Sequence, residues 1–243
     1  MAKLRVPSVQ HLARHWYDSP KKIEDEFVNM AMNPPAFNYN ALNDIARDSL
    51  LYKVPEDQII KGIKEKEKRK RVQKILLEVV PLLHEHFSRV QYDFVNDVAP
   101  SFYPIGRRSD LRIPFKSVFI YGIGGQIYLP WLIFWKHNPL DDKQLSLFVT
   151  LVREILRQDP DLEEARFQIL DFSAPNSKEC RQLRVIDTAD IHTFNSKETA
   201  EMLSIFVEGF ERAEARLKEV NISNKRKETE VVVDIDQYRL WDK

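Results

Sequence analysis

Apolar positions recur at helical spacing towards both ends of the chain and at strand spacing in its middle. Near the start, Val9, Leu12, Ala13 and Trp16 follow Ser8 at intervals of three and four, which predicts a capped helix. Ser19-Pro20 restarts it, with Glu24, Asp25 and Glu26 expected near the positive end of the new helix, and Asn33-Pro34-Pro35 stops it. Leu42, Ile45, Ala46 and Leu50 predict a helix from Tyr39 to Tyr52. After Pro55, residues 56–88 read as one long helix, charged in its first half, apolar in its second and kinked at Pro81.

The period then changes to two. Val90, Tyr92 and Phe94 predict a first strand between Arg89 and Phe102, and residues 104–114 a turn into a second. From Ser117 to Trp135 the chain carries no charge, and Gly122, Gly124 and Gly125 lie near the middle of that run. Two apolar runs around a glycine turn predict a β-hairpin at the centre of a buried sheet. The run is long enough to span a bilayer, but its glycines and Pro130 argue against a membrane helix. Pro130 cannot donate to a ladder, so it predicts a bulge or an edge.

Beyond Asn138-Pro139, a helix is expected from Leu140 to Gln158, with Leu145, Phe148, Val149, Val152, Ile155 and Leu156 as its apolar stripe. Two strands, 165–172 and 183–190, joined by a polar loop, are expected to pair antiparallel. A final helix begins at Asn195 or Ser196 and runs to about Val220, burying Met202, Leu203, Ile205, Phe206, Phe210 and Leu217. Val231 to Ile235 reads as a strand-like tail. The expected fold is α/β (α+β), a central mixed sheet of about five strands flanked by helices. The expected division is a helical N-terminal region over 1–60, a core over 61–222 and a charged, strand-ending tail over 223–243.

Composition narrows the chemistry. The 243 residues carry 37 basic and 37 acidic side chains, so only local patches speak for or against nucleic acid. Cys180 is the single cysteine, which excludes an internal disulfide and suits a reducing, cytoplasmic setting. His84 and His86 are two apart, a poor spacing for a shared metal, and read as helix-end histidines favoured by the dipole. The Gly122–Gly125 segment is followed by a strand rather than a helix, unlike a dinucleotide loop. Lys61 to Lys74 is strongly basic, and one continuous helix there would set Lys64, Lys68 and Arg71 on one face as phosphate contacts.

Three short motifs fall in sequence within these elements. They are Gly106-Arg107-Arg108-Ser109-Asp110, Phe134-Trp135-Lys136 at a strand end, and Gln144 with Phe148 four residues later. Together they resemble the PD-(D/E)XK nuclease superfamily, in its RecB-like branch, over about residues 70 to 210. The resemblance implies Asp110 as a metal ligand, Lys136 as the lysine that positions a nucleophile, and Gln144 on the following helix. It also implies nucleic-acid contacts at Arg107 and Arg108. The family's triplet opens with an acid to hold Mg²⁺, however, and Phe134 stands there. The first motif is one residue longer than the family's, and Phe148 replaces a tyrosine.

The resemblance therefore implies a nuclease fold without its centre and without a cofactor. Such a domain would bind DNA, RNA or another protein within a larger nucleic-acid-processing or defence assembly, with no membrane partner. One alternative is an active Mg²⁺- or Mn²⁺-dependent nuclease in which Asp141 or Asp142 supplies the missing carboxylate. Another is an interaction domain unrelated to nucleases, using the hairpin and the tail.

Overall fold

The uncharged run folds as the predicted hairpin. In a computed structural model of the chain, which describes residues 4–33, 39–105, 111–140, 142–176 and 178–238 with side chains to residue 220, β4 (Ile120–Ile123) pairs antiparallel with β5 (Gln126–Ile133). Gly124 and Gly125 make the two-residue turn at φ +58° and +80°, values open to glycine at little cost. β5 also pairs in parallel with β6 (Arg166–Asp171), which pairs antiparallel with β7 (Arg184–Asp187). With β1 (Phe94–Asn96) beside β4, the mixed sheet has the order β1-β4-β5-β6-β7. Pro130 lies two residues past Tyr128, the last β5 partner of β4, so that side of the strand is locally an edge. Its carbonyl accepts a hydrogen bond from the buried Ser117 hydroxyl at 2.8 Å.

The first predicted strand is shorter than expected and is followed by a separate ribbon of β2 (Ser101–Pro104) and β3 (Arg112–Phe115). Pro104 and Pro114 remove ladder donors from these two strands, which suits a two-stranded ribbon better than a sheet interior.

Helices cover both sheet faces. α3 (Asn40–Tyr52), α4 (Glu56–Lys66) and α5 (Lys70–Ser88) bury Leu42, Ala46, Ile63, Leu76 and Leu83 in one cluster with Leu132, Phe134, Leu170 and Phe172 of the sheet. On the other face, Phe148 of α6 (Asp142–Leu156) meets Trp131 and Phe167 edge-on. α6 is buried from Ser146 through Val152, all the way round, as befits the crossover between two parallel strands. α1 (Val9–Arg14) completes this part, its start capped by Ser8, whose hydroxyl accepts from the His11 N–H.

The long helix expected over 56–88 is broken at Glu67–Arg69, and Pro81 lies within the continuous α5. No glycine or proline marks the break. Side chains make it instead: Glu67 Oε1 accepts from the Arg69 N–H at 2.8 Å, and Gln73 and Lys68 donate to carbonyls at the end of α4. Lys64, Lys68 and Arg71 therefore lie on a helix, in a turn and on a second helix, and do not share one helical face.

The chain divides into two compact units, one drawing on Met1–Val6, His15–Ala36 and Ser196–Lys243, the other on Pro7–Arg14 and Phe37–Asn195. This differs from the linear division at 60 and 222. α3 and α4 join the sheet because their apolar faces pack on it, whereas α2 (Pro20–Met32) joins α7 (Ser196–Tyr238). In that unit Phe27 meets Phe206 and Phe210 edge-on, and Arg216 Nη1 lies 2.6 Å from Asp25 Oδ1 and 3.2 Å from Glu24 Oε1. The first turn of α2 holds no acid, so Glu24 and Asp25 serve this pairing with α7. Residues 231–235, expected as a strand, are helical within α7. The segment before them, Asn224 to Glu230, has neither glycine nor proline to stop the helix.

Candidate functional site

β5 and β6 end level with one another, Ile133 opposite Asp171, at the carboxyl edge of the only parallel pair among the described strands. In open α/β sheets that edge is where ligands are held. The two chains continue side by side: Phe172 N donates to Ile133 O at 2.9 Å and Ala174 N to Lys136 O at 2.8 Å.

Two arginines close this edge. The Arg181 side chain is 2% exposed. Its Nη1 shares its protons among the carbonyl oxygens of Phe134, Trp135 and Phe172, each at 2.9 Å. Its Nε lies 3.4 Å from Glu78 Oε2 on α5, an ion pair without hydrogen-bond geometry. Arg184, opposite Asp171 in the β6–β7 ladder, donates Nη2 to Asp171 Oδ2 at 2.7 Å. Asn138 Nδ2 donates to the same oxygen at 3.0 Å, and Ser173 N to Oδ1 at 3.0 Å. Asp171 is 1% exposed, and both of its oxygens are engaged. Asn138 also accepts from Leu140 N and so ties the cluster to the approach to α6.

The residues singled out from sequence fare differently. Phe134, in the acid position of the triplet, is buried and stacked on Phe172 at 5.4 Å. Lys136 Nζ donates to the backbone oxygen of Glu179 at 3.1 Å. Gln144 Nε2 donates to Arg14 O at 2.9 Å, while the Arg14 guanidinium lies 4.7 Å over the Trp135 ring. Lys136 and Gln144 thus sit at the same end of the parallel pair, each holding backbone. Asp110, Arg107, Arg108 and Asp141 lie outside the described residues. Asp142 is exposed in the first turn of α6.

A divalent cation does not fit the described residues of this edge. Phe134 offers no oxygen, Asp171 is committed to three donors, and Arg181 already brings a positive charge to the carbonyls. Among the described residues no three His, Cys, Asp or Glu side chains are grouped to hold a metal. The histidines of α5 are not a pair either. His84 Nδ1 faces Glu56 at 3.5 Å, whereas His86 packs on Phe87 and burial pulls its pKa below 6.5, against the direction the helix dipole would give.

Arg181, Asp171 and Glu78 were not foreseen as a group. Asp171 had a readable signal, a charge directly after the apolar pair Ile169-Leu170 in a strand. Arg181 had none, because it sits in a polar loop 47 positions from Phe134 and only the fold brings them together.

A second charged feature lies at the turn between α4 and α5. From Lys64 to Lys74 seven lysines and arginines stand against Glu65 and Glu67, a balance of 7 − 2 = +5, and all seven cations are exposed. Arg69 holds Glu67 through its side chain and its N–H, which takes the carboxyl pKa down to about 2. The first turn of α5 has no acid, so its positive end adds to the cations.

No protein-family model and no curated protein matches the chain. No helix among the described residues is long and apolar enough to cross a membrane.

Proposed function

We propose that this chain is a PD-(D/E)XK-like domain of the RecB-like type kept as a binding module, and that its ligand is the phosphate backbone of DNA or RNA. The order α5, β1, β4, β5, α6, β6, a helix leading into antiparallel strands and then a crossover to a parallel strand, supports the fold part of the reading. The observation that carries the loss of catalysis is Phe134 stacked on Phe172 with the Arg181 guanidinium on the carbonyls beside it. An aromatic ring and a fixed cation occupy the place where the family resemblance asks for a carboxylate and a metal.

The nucleic-acid part rests on the α4–α5 turn. Its cations present charge to solvent without interleaved aromatic side chains, which suits phosphate contact rather than base stacking. Each phosphate neutralised releases counterions, so binding should weaken steeply with salt.

The test is a gel shift of the purified full chain with linear duplex DNA, single-stranded DNA and RNA, at low salt, with Mn²⁺ or with EDTA. The expected result is a shift in both conditions, without cleavage. In a variant carrying glutamine at Lys64, Lys68 and Arg71, the slope of log affinity against log salt should fall by about 2 to 3. Metal-dependent cleavage lost in Lys136→Ala would overturn the binding-module reading. Absence of any shift at low salt would remove the nucleic-acid part.

A further inference from the structure

α3 and α4 face one another across an open groove of about 610 Å³, with Leu76 of α5 at its floor. α3 lines it with Asp44, Ile45 and Asp48, and α4 with Ile59, Gly62 and Ile63. Both sets follow the three-and-four spacing of a single helix face. Ile45 and Ile59 remain half-buried, so the trough is apolar within and carboxylate-edged along α3.

Gly62 is the informative residue. It lies inside α4, where glycine is less stable than alanine. The other described glycines have a local reason: a Cβ at Gly122 would meet Phe94 Cε1 at 2.3 Å, one at Gly209 would meet Ile23 Cβ at 2.6 Å, and Gly124 and Gly125 hold positive φ in the hairpin turn. A Cβ at Gly62 would meet nothing within 4 Å. Nothing within the described chain requires this glycine. The open space beside it leaves the α4 backbone accessible to close approach from within the groove.

The charge of the rim states what kind of body. Asp44 and Asp48 stand one turn apart on the same wall, a like-charged pair that weakens an isolated helix slightly. Arg47 reaches Asp48 at 3.2 Å, whereas Asp44 is exposed. Lys66, at the end of the opposite wall, is the one cation of the lining.

We propose that this groove receives an amphipathic helix of a partner protein, its apolar face against the isoleucines and a flank of lysine or arginine along Asp44 and Asp48. The groove adjoins the phosphate-binding turn, sharing Lys66 and Glu67 with it, but its apolar floor and α3 wall do not belong to that turn, and the proposal stands whether or not that reading holds.

The probe is a fluorescent Leu/Lys peptide of about 18 residues in an amphipathic helical pattern, about five turns. Beside it are run a Leu/Glu peptide of the same pattern and a scrambled Leu/Lys peptide. The measurement is fluorescence anisotropy on the full chain. The amphipathic Leu/Lys peptide should bind, and the two controls should bind at least about tenfold more weakly. Gly62→Leu, which fills the groove, should abolish binding while the melting transition is kept. Gly62→Ala, which is compatible with the helix, provides the same comparison if the larger side chain unfolds the chain, and should weaken binding without loss of stability. Asp44→Asn with Asp48→Asn should weaken it more at low salt than at high. The glutamine variant at Lys64, Lys68 and Arg71, none of which lines the groove, should bind the peptide at least as tightly as the parent chain.

Three outcomes would overturn the proposal. They are no binding up to about 0.1 mM peptide, equal binding of the controls, and unchanged binding in a folded Gly62 variant. Self-association of the free chain that Gly62→Leu relieves would give the groove to a second copy and overturn it as well.

Discussion

Arg181 and the cations of the α4–α5 turn carry the same charge in opposite surroundings. Arg181 is withdrawn from water, its Nη1 donating to three carbonyls and its charge paired with Glu78. The cations between Lys64 and Lys74 are exposed, and where they bond it is mostly to one another's neighbours in the turn, as Arg69 does to Glu67 and Lys68 to Glu65 O. Burial makes a charge structural, because removing its partner leaves an uncompensated group in a poor solvent. Exposure leaves a charge cheap to remove and available to a ligand. Charge count alone therefore does not separate architecture from recognition; burial does.

The largest effect should come from breaking the buried side. Arg181→Met would strand three carbonyls and Glu78, and should cost about 3 kcal/mol in urea unfolding. A loss under about 1 kcal/mol would show that water replaces the guanidinium and that the edge is open after all. On the exposed side, glutamine at Lys64, Lys68 and Arg71 should leave stability within about 0.5 kcal/mol while lowering nucleic-acid affinity roughly tenfold or more. If that variant unfolds instead, the turn is architecture and the contrast fails.

Two smaller effects sharpen the contrast within the helical layer. Gly62→Ala should raise stability by about 0.5–1 kcal/mol, since a Cβ there meets open space. A destabilised Gly62→Ala would mean that the α4 backbone needs glycine for its own sake. His86 should give the smallest effect. Burial lowers its pKa in the fold, so below about pH 6.5 the unfolded chain binds a proton that the folded chain resists. Stability should fall as pH drops through that range and level off below the folded pKa. His86→Gln should flatten the profile by less than about 1 kcal/mol, read from melting curves at several pH values.

Much of the fold was legible because period and punctuation agreed. The hairpin announced itself by two uncharged runs and a glycine pair, and the antiparallel β6–β7 pair by two strand-like runs around a polar loop. The break at Glu67–Arg69 was not legible. Its residues are strong helix formers, and the turn is made by side chains capping carbonyls rather than by a residue that forbids helix. The strand expected at 231–235 failed for the converse reason: β-branched residues suggested a strand, and the helix continued into them. At the candidate site the sequence pattern put Lys136 just past the end of an apolar strand and Gln144 in the first turns of the following helix, which is where they lie. It could not show that both hold backbone, nor that Arg181 would arrive from a distant loop.

The position of Arg181 also bears on the order in which the fold assembles. Its three carbonyl acceptors belong to the segments after β5 and β6, and its carboxylate partner belongs to α5. These segments meet only after the hairpin has closed, α6 has crossed over and α5 has docked. The bonds of Arg181 should therefore form late, beyond the folding transition state. Its loss should speed unfolding by nearly the whole of its energetic effect and leave the refolding rate almost unchanged, a division that a chevron plot separates directly. Arg181 would then act as the latch of the finished sheet, setting how long the native state lasts rather than how quickly it is reached.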